Sequence, residues 1–360
     1  MQVVNGARIA RVSARRLDVP LRKPFGIAGG TQHVAANILV EMVLEGGERG
    51  WGEGAPFPAF NGETQEQALA GCVAAEPLVA GIDVNDSDAL GGRLAAGWAA
   101  SPSARCAIET AILDCQARLR DVSIRELLGG AEEELVTDIT ITTGTVEEAA
   151  QEARAFSRFS TLKVKVGGGS LDRDIARLLT IRRTRPDARL LVDANGGFTV
   201  EQALEFAEAT AAAHIDMFEQ PVPAGDWQAL AEVRTRTGMR IAIDESVTCA
   251  ADVLQAKARA AADAVNMKIM KSGVFEVLRI AKQARDAGLL CMIGGMVETR
   301  LAMGTSASIA AGLGGFAYVD LDTPLFLADD PFDGGYAQDG ERIDLRPIRR
   351  GHGLQPRGGR

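Results

Sequence analysis

The chain has 360 residues, 46% of them apolar, 24% charged and only 5% aromatic, with a net charge of −9. That length suits about two domains with a sizeable core, and the acidic balance argues against a nucleic-acid partner, which needs a basic face. No apolar run approaches the ~20 residues of a membrane span, and five cysteines without a CxxC pair read as reduced thiols of a cytoplasmic protein. With three histidines in all, acid/base work falls to Lys, Asp or Glu.

The chain opens with an α+β region. Residues 7–20 and 36–45 read as strands, the second closed by a Gly46-Gly47 turn. Between them, Leu21 to Gln32 reads as a loop carrying Pro24, Gly26, Gly29 and Gly30. A second loop is expected from Trp51 to Glu63. Ala107, Ala111, Cys115 and Leu119 recur at helical spacing and predict a helix over Ala104–Leu119. A short helix, Ile124–Leu128, stops at Gly129-Gly130.

From about Val136 the texture changes. Eight short apolar runs recur: Ile139–Thr142, Leu162–Val166, Arg189–Val192, Ile215–Phe218, Arg240–Ile243, Ala264–Met267, Leu289–Ile293 and Phe316–Val319. Their starts lie 23–27 residues apart, with amphipathic stretches between them. That period predicts βαβ units and a parallel sheet. The last run has no convincing helix after it. The expected fold is therefore α/β, a (β/α)7β-type barrel over residues 134–325 behind an α+β domain over residues 1–133. Segment 326–360 is expected to rejoin the first domain, and its Arg- and Gly-rich end, Arg349–Arg360, reads as a solvated tail.

Charges follow nearly every run, and in such barrels the C-terminal strand ends carry the active site. The second run holds Lys163 and Lys165, which share one face at period two. The third to sixth are followed by Asp193, Glu219, Asp244 and Lys268; Glu298 follows the seventh, and Asp320 and Asp322 the eighth. Burying Asp193, Glu219 and Asp244 together needs a cation. An all-oxygen set suits Mg²⁺, with Mn²⁺ as the alternative. Asn195 and Glu245 stand beside two of these ligands and can orient them. Lys165 and Lys268 flank the site, and two bases on opposite faces of one carbon describe a racemase or epimerase. Gly167-Gly-Gly169 lacks the spacing of a phosphate loop. His33, His214, Cys291 and Met292 read as structural or solvated.

Lys163-Val-Lys165, Asp193-Ala-Asn195, Phe218-Glu219-Gln-Pro221, Asp244-Glu245-Ser246 and Met267-Lys268-Ile-Met-Lys271 resemble, in order and spacing, the motifs of the enolase superfamily, muconate-lactonizing subgroup. The resemblance covers nearly the whole chain, including an N-terminal capping domain. It implies that Lys163 neutralises a substrate carboxylate, that Lys165 and Lys268 exchange the α-proton, and that Mg²⁺ stabilises an ene-diolate. The Asp320-Leu-Asp322 pair is similar to that of dipeptide epimerases, where it holds a free α-ammonium. Glu298 is expected to touch substrate as well.

The implied partner is thus a small dipeptide, with no nucleic acid and no membrane; a homo-oligomer is compatible with the sequence. Other activities of the subgroup are the alternatives: N-acylamino acid racemase, o-succinylbenzoate synthase or cycloisomerase. A non-catalytic binding barrel is the alternative of another class, but it predicts a lost ligand or base, and none is lost. Relatives acting on Ala-Glu carry an Arg in the first capping loop, where this chain has Gly30, or Gly29 at a shift of one. Phe25, Ile27, Phe57 and Phe60 favour an apolar substrate side chain instead. Arg22 or Lys23 could restore an acidic preference, and Glu53 could read a cationic one.

Overall fold

Two long strands, β1 (Ile9–Ile27) and β2 (Gly30–Leu44), form an antiparallel hairpin, joined on the far side of β2 by β3 (Arg49–Gly54). The structure, a computed structural model, describes residues 6–94 and 101–358. The hairpin corrects the expected loop at Leu21–Gln32. Pairing slips between Pro20 and Phe25, then resumes with Phe25 opposite Gln32 and Ile27 opposite Gly30. Proline and glycine disguised a strand that continues through a bulge. The expected loop at Trp51–Glu63 is likewise part strand, because Trp51–Gly54 belongs to β3.

Helices α1 (Pro58–Asn61), α2 (Gln65–Val79), α3 (Ser87–Leu94), α4 (Pro102–Leu119) and α5 (Ile124–Leu127) follow. Helix α4 lies directly on β3. A Cβ at Gly52 would stand 1.8 Å from the Ala107 carbonyl oxygen, so only glycine permits this approach. Ile38, Val40 and Met42 of the sheet pack with Ala104, Ile108 and Ala111 of α4 into a core of their own.

After the short strand β4 (Glu134–Val136), all eight apolar runs are strands: β5 (Ile139–Ile141), β6 (Thr161–Lys165), β7 (Arg189–Asp193), β8 (Ile215–Glu219), β9 (Ile241–Ile243), β10 (Ala264–Met267), β11 (Leu290–Ile293) and β12 (Phe316–Val319). They pair in parallel in chain order. Between them run α6 (Val146–Ala155), α7 (Leu171–Thr184), α8 (Val200–Ala209), α9 (Trp227–Thr237), α10 (Ala250–Ala258), α11 (Ile269–Ser272), α12 (Val274–Asp286) and α13 (Arg300–Leu313). Period two divides each strand. Leu162 and Val164 turn to the helices and join the main core, whereas Leu191, Met217, Ala242, Ala264, Met292 and Tyr318 form a separate inner layer. A fully buried Leu, Val or Met among them is worth roughly 1.5–3 kcal/mol.

No strand ladder joins β12 to β5. The seam closes through individual bonds instead. Asp138 N–H donates to the Val319 carbonyl (2.9 Å), Leu321 N–H to Thr137 Oγ1 (2.9 Å) and Thr140 N–H to Asp322 Oδ2 (2.6 Å). The ring of eight is thereby complete.

The tail departs from expectation. β13 (Phe332–Gly334) pairs with β16 (Leu354–Pro356), and β14 (Ala337–Asp339) with β15 (Arg342–Asp344), which also pairs with β4. His352 and Leu354 are fully buried, so the stretch read as solvated is partly core. The His352 ring binds the Trp51 carbonyl through Nε2 and accepts from Leu354 N–H at Nδ1. No helix among the described residues is long and apolar enough to cross a membrane.

Candidate active site

The C-terminal ends of β6 to β10 and β12 converge beneath the capping hairpin. One carboxylate oxygen from each of Asp193, Glu219 and Asp244 lies within 4.8 Å of the others, and all three residues are fully buried. Lys163 Nζ reaches Asp320 at 2.6 Å, Glu219 at 2.8 Å and Asp193 at 3.1 Å. Lys165 Nζ contacts Asp193 at 2.6 Å, and Lys268 Nζ contacts Asp244 at 2.6 Å. Glu219 Oε2 and Asp244 Oδ2 receive these ammonium contacts but no well-directed hydrogen bond. Three converging buried oxygens with spare lone pairs fit one hard divalent cation.

The electrostatics show the same tension. Burial and the neighbouring Asp193 push the Glu219 carboxyl up to about 7. Burial opposes the charge of Asp193 too, but Lys165 and Lys163 outweigh it and hold that carboxyl at about 2. Asp244 is held well below the usual range because Lys268 and Lys271 outweigh its burial. Burial also works against the Lys268 ammonium, and Asp244 overcomes it, so its pKa is raised.

Supporting residues fix these groups. Asn195 donates from its backbone to Asp193 Oδ1 (2.8 Å) and from its side chain to Glu245 (3.0 Å), the orienting part expected of it. Burial and Asp244 raise Glu245 to about 8. Four supports escaped the sequence reading. Asn266 donates to Glu219 Oε1 at 2.6 Å. Lys271 binds Asp244 Oδ1 at 2.6 Å. The Gln220 side chain accepts from Asp244 N–H and Ser246 N–H. Arg177, on the buried face of α7, ties the carbonyls of Lys165 (2.8 Å) and Thr142 (2.5 Å) together. Asn266 was legible in principle, since it lies two residues before Lys268 on the same strand face.

Asp320 and Asp322 stand on the opposite side of the ring. Asp322 is fully buried, with Oδ2 on Thr140 N–H and Oδ1 unpartnered. Glu298 is not among the residues lining the cavity. Its Oε1 accepts from Met296 N–H (2.6 Å), it shapes the loop after β11, and burial raises its carboxyl to about 8. Glu53 is also unavailable to a substrate. It is buried in the cap–barrel contact, accepting from Thr299 N–H, Thr299 Oγ1–H, Ala302 N–H and Asn37 Nδ2–H.

The cavity above these groups is small, about 20 Å³, room for about one water. A groove of about 760 Å³ on the capping sheet, lined by Arg11, Arg15 and Arg49, is larger but far from this chemistry. Apart from the polar groups, the cavity is walled by Phe25, Ile27, Phe57, Phe60 and Met296. The Lys268 ammonium lies 5.2 Å from the Phe60 ring centroid. Lys23 pairs with Glu152, and Arg22 Nε donates to the Leu327 carbonyl (2.8 Å), so neither enters the cavity. A Cβ at Gly29 would stand 2.2 Å from the Ala59 carbonyl oxygen, which leaves no room there for a longer side chain.

Fold and site together define a capped β/α-barrel enzyme built around a hard-cation centre. Residues 145–359 match the enolase C-terminal domain-like family, and residues 10–129 match the mandelate racemase / muconate lactonizing enzyme N-terminal domain. The chain belongs to this mandelate racemase / muconate lactonizing enzyme family of the enolase superfamily, and it is an isomerase. It is 43% identical to an aromatic dipeptide epimerase of Herpetosiphon aurantiacus, covering 96% of this chain and 98% of that one. It is 36% identical to an L-Ala-D/L-Glu epimerase of Thermotoga maritima, covering 94% and 99%. Among solved structures, the dipeptide epimerase of Enterococcus faecalis, complexed with Mg and L-Leu-L-Tyr, superposes with a TM-score of 0.93 at 31% identity, covering 97% and 99%.

Proposed function

We propose that the chain is a Mg²⁺-dependent dipeptide epimerase that inverts the α-carbon of the C-terminal residue, with apolar side chains preferred there. One observation carries the reading: the four functional groups divide the ring into quadrants. Lys165 on β6 and Lys268 after β10 are four strands apart in a ring of eight, hence opposed. The carboxylate triad centres on β8, and Asp320 and Asp322 follow β12, midway between the two lysines on the other side. A dipeptide spanning triad to Asp pair has its C-terminal α-carbon between two amines.

Asp193, Glu219 and Asp244 hold the metal ion. When bound, Mg²⁺ supplies Lewis-acid charge to the substrate carboxylate. Lys163 adds a fixed ammonium beside the same carboxylate, stabilising the ene-diolate that proton loss produces. Lys165 and Lys268 work from opposite faces: one takes the α-proton, the other returns a proton to the far side. Asp320 and Asp322 bind the substrate's α-ammonium. An N-acylated amino acid brings no cation and leaves Asp322 without one, while Asp320 keeps only its share of Lys163.

The wall of Phe25, Ile27, Phe57, Phe60 and Met296 supports an apolar side chain at the inverted carbon. The two curated relatives named above differ on this point, and the cavity wall supports the apolar reading. The test is α-proton exchange in D₂O with Ala-Leu, Ala-Phe, Ala-Glu and N-acetyl-Ala-Leu. Ala-Leu and Ala-Phe should exceed Ala-Glu in kcat/KM by about tenfold or more, a gap of ~1.4 kcal/mol in transition-state binding. If Ala-Glu leads by that factor, the side-chain reading fails. If no dipeptide exchanges, the epimerase reading fails.

A further inference from the structure

A third carboxyl group lies under the Asp pair. Asp138 immediately precedes β5, two residues before Thr140 and on the same inward face, one layer deeper in the ring. It is 2% exposed. One of its oxygens lies within 4.8 Å of oxygens of both Asp320 and Asp322. Among the described residues, neither of its carboxyl oxygens accepts a hydrogen bond from any donor. Its backbone N–H is committed to the Val319 carbonyl across the seam, which fixes the backbone from which the side chain projects.

Two ionised carboxylates cannot hydrogen-bond each other, and a buried acceptor without a donor is costly. The charges nearby cannot serve a third anion. Lys163 is the ammonium facing this group, and it is shared among Asp320, Glu219 and Asp193. The arrangement makes sense if one of the three carboxyls is the donor. Asp138 is the one with no cation or N–H against it.

We propose that Asp138 is a positioning residue of the ammonium seat: it carries a proton and donates it to Asp320, fixing that carboxylate toward the substrate. Three carboxyl groups then hold two charges, matched by Lys163 and the incoming ammonium. Burial, with Asp320 and Asp322 alongside, raises the Asp138 carboxyl well above the usual range, in keeping with the geometry. The inference rests on the dipeptide reading for its kinetic consequence, but not for the protonation itself.

The test compares Asp138→Asn, which keeps a donor, with Asp138→Leu, which does not. Using Ala-Leu, D138L should raise KM about tenfold or more, the scale of a lost hydrogen bond to a charged group, with the larger part of the change in KM rather than kcat. D138N should recover KM to within about threefold of wild type. In parallel, infrared difference spectra of wild type minus D138N should show the C=O stretch of a buried protonated carboxyl, lost in the variant. Equal damage in D138N and D138L would mean that Asp138 acts as an anion and overturns the proposal. So would a D138L enzyme indistinguishable from wild type, or a missing infrared band. The band is read without substrate and in well-folded D138N, so it decides the proposal even if D138L does not fold or wild type epimerises no dipeptide.

Discussion

Replacing Asp322 by Asn should stabilise the folded protein at pH 8 while removing most of its activity. The Asp322 carboxyl is pushed up to about 7, by burial first and by Asp320 second, from an ordinary 3.8. That gap of about three pH units corresponds to roughly 4 kcal/mol at 1.36 kcal/mol per unit. The folded-state value lies above the unfolded one. The cost is therefore absent below pH 3.8, grows as pH rises through the window up to about 7, and is complete above it. That figure is already net of the attraction to Lys163, and Asn keeps an acceptor for Thr140 N–H, so most of the gain should appear in the variant at pH 8. Denaturant unfolding at pH 8 and pH 5 measures it, the variant gaining more at the higher pH, since only about a third of the cost is present at pH 5. The same change leaves a substrate ammonium one carboxylate short, and kcat/KM on Ala-Leu should fall by about 100-fold or more. A D322N protein no more stable than wild type at pH 8, or equally stabilised at both pH values, would refute the electrostatic argument. Undiminished kcat/KM would refute the ammonium assignment.

Changing Asp193 or Asp244 to Ala should abolish turnover and weaken Mg²⁺ binding in calorimetry, with circular dichroism unchanged; full activity after exhaustive chelation would exclude the triad as a metal site. In Lys165→Ala and Lys268→Ala, inversion should stop while each variant still exchanges the α-proton of one epimer, so unimpaired exchange of both epimers in each variant counts against two opposed bases. Burial holds His352 below its ordinary 6.5, against the pull of Asp114. The unfolded chain therefore binds the proton first as pH falls. Stability should decline below about pH 6.5, and His352→Gln should flatten that decline in thermal melts; an unchanged slope would remove His352 from the acid response.

The barrel was legible because buried parallel strands read as apolar runs, and because inward charges at their ends stand out against them. Lys163, Lys165, Asp193, Glu219, Asp244, Lys268, Asp320 and Asp322 all gather at one mouth in the structure. The hairpin tip was not legible. Its strand character comes from backbone pairing around a bulge, while Pro20, Pro24 and Gly26 carry the local signal of a loop. The Gly50, Gly52 and Gly54 alternation likewise hid a strand, because those glycines serve the approach of α4 rather than a turn. Asp138 and Arg177 were missed for another reason. One lies at the start of its strand and the other in a helix, away from the strand ends where functional charge is sought. Glu298 lies at such an end, but its Oε1 accepts from Met296 N–H and it does not line the cavity.

The Glu53 junction has a mechanical consequence. One buried carboxylate on β3 takes three donors at the start of α13, from Thr299 and Ala302, while Asn37 holds it from β2. The base of the cap is thus riveted to the barrel, and the β1–β2 hairpin reaches over the cavity from that base like a cantilever. Admitting a dipeptide to a space of about 20 Å³ is then a matter of bending the tip beyond the barrel contacts of Arg22 and Lys23, not of swinging a domain. Tip bending of that kind belongs to loop motions, ns to μs, rather than the slower μs to ms of domain hinges. A library confined to residues 24–31 can accordingly vary the aperture while the rivet and the proton-transfer machinery stay as they are.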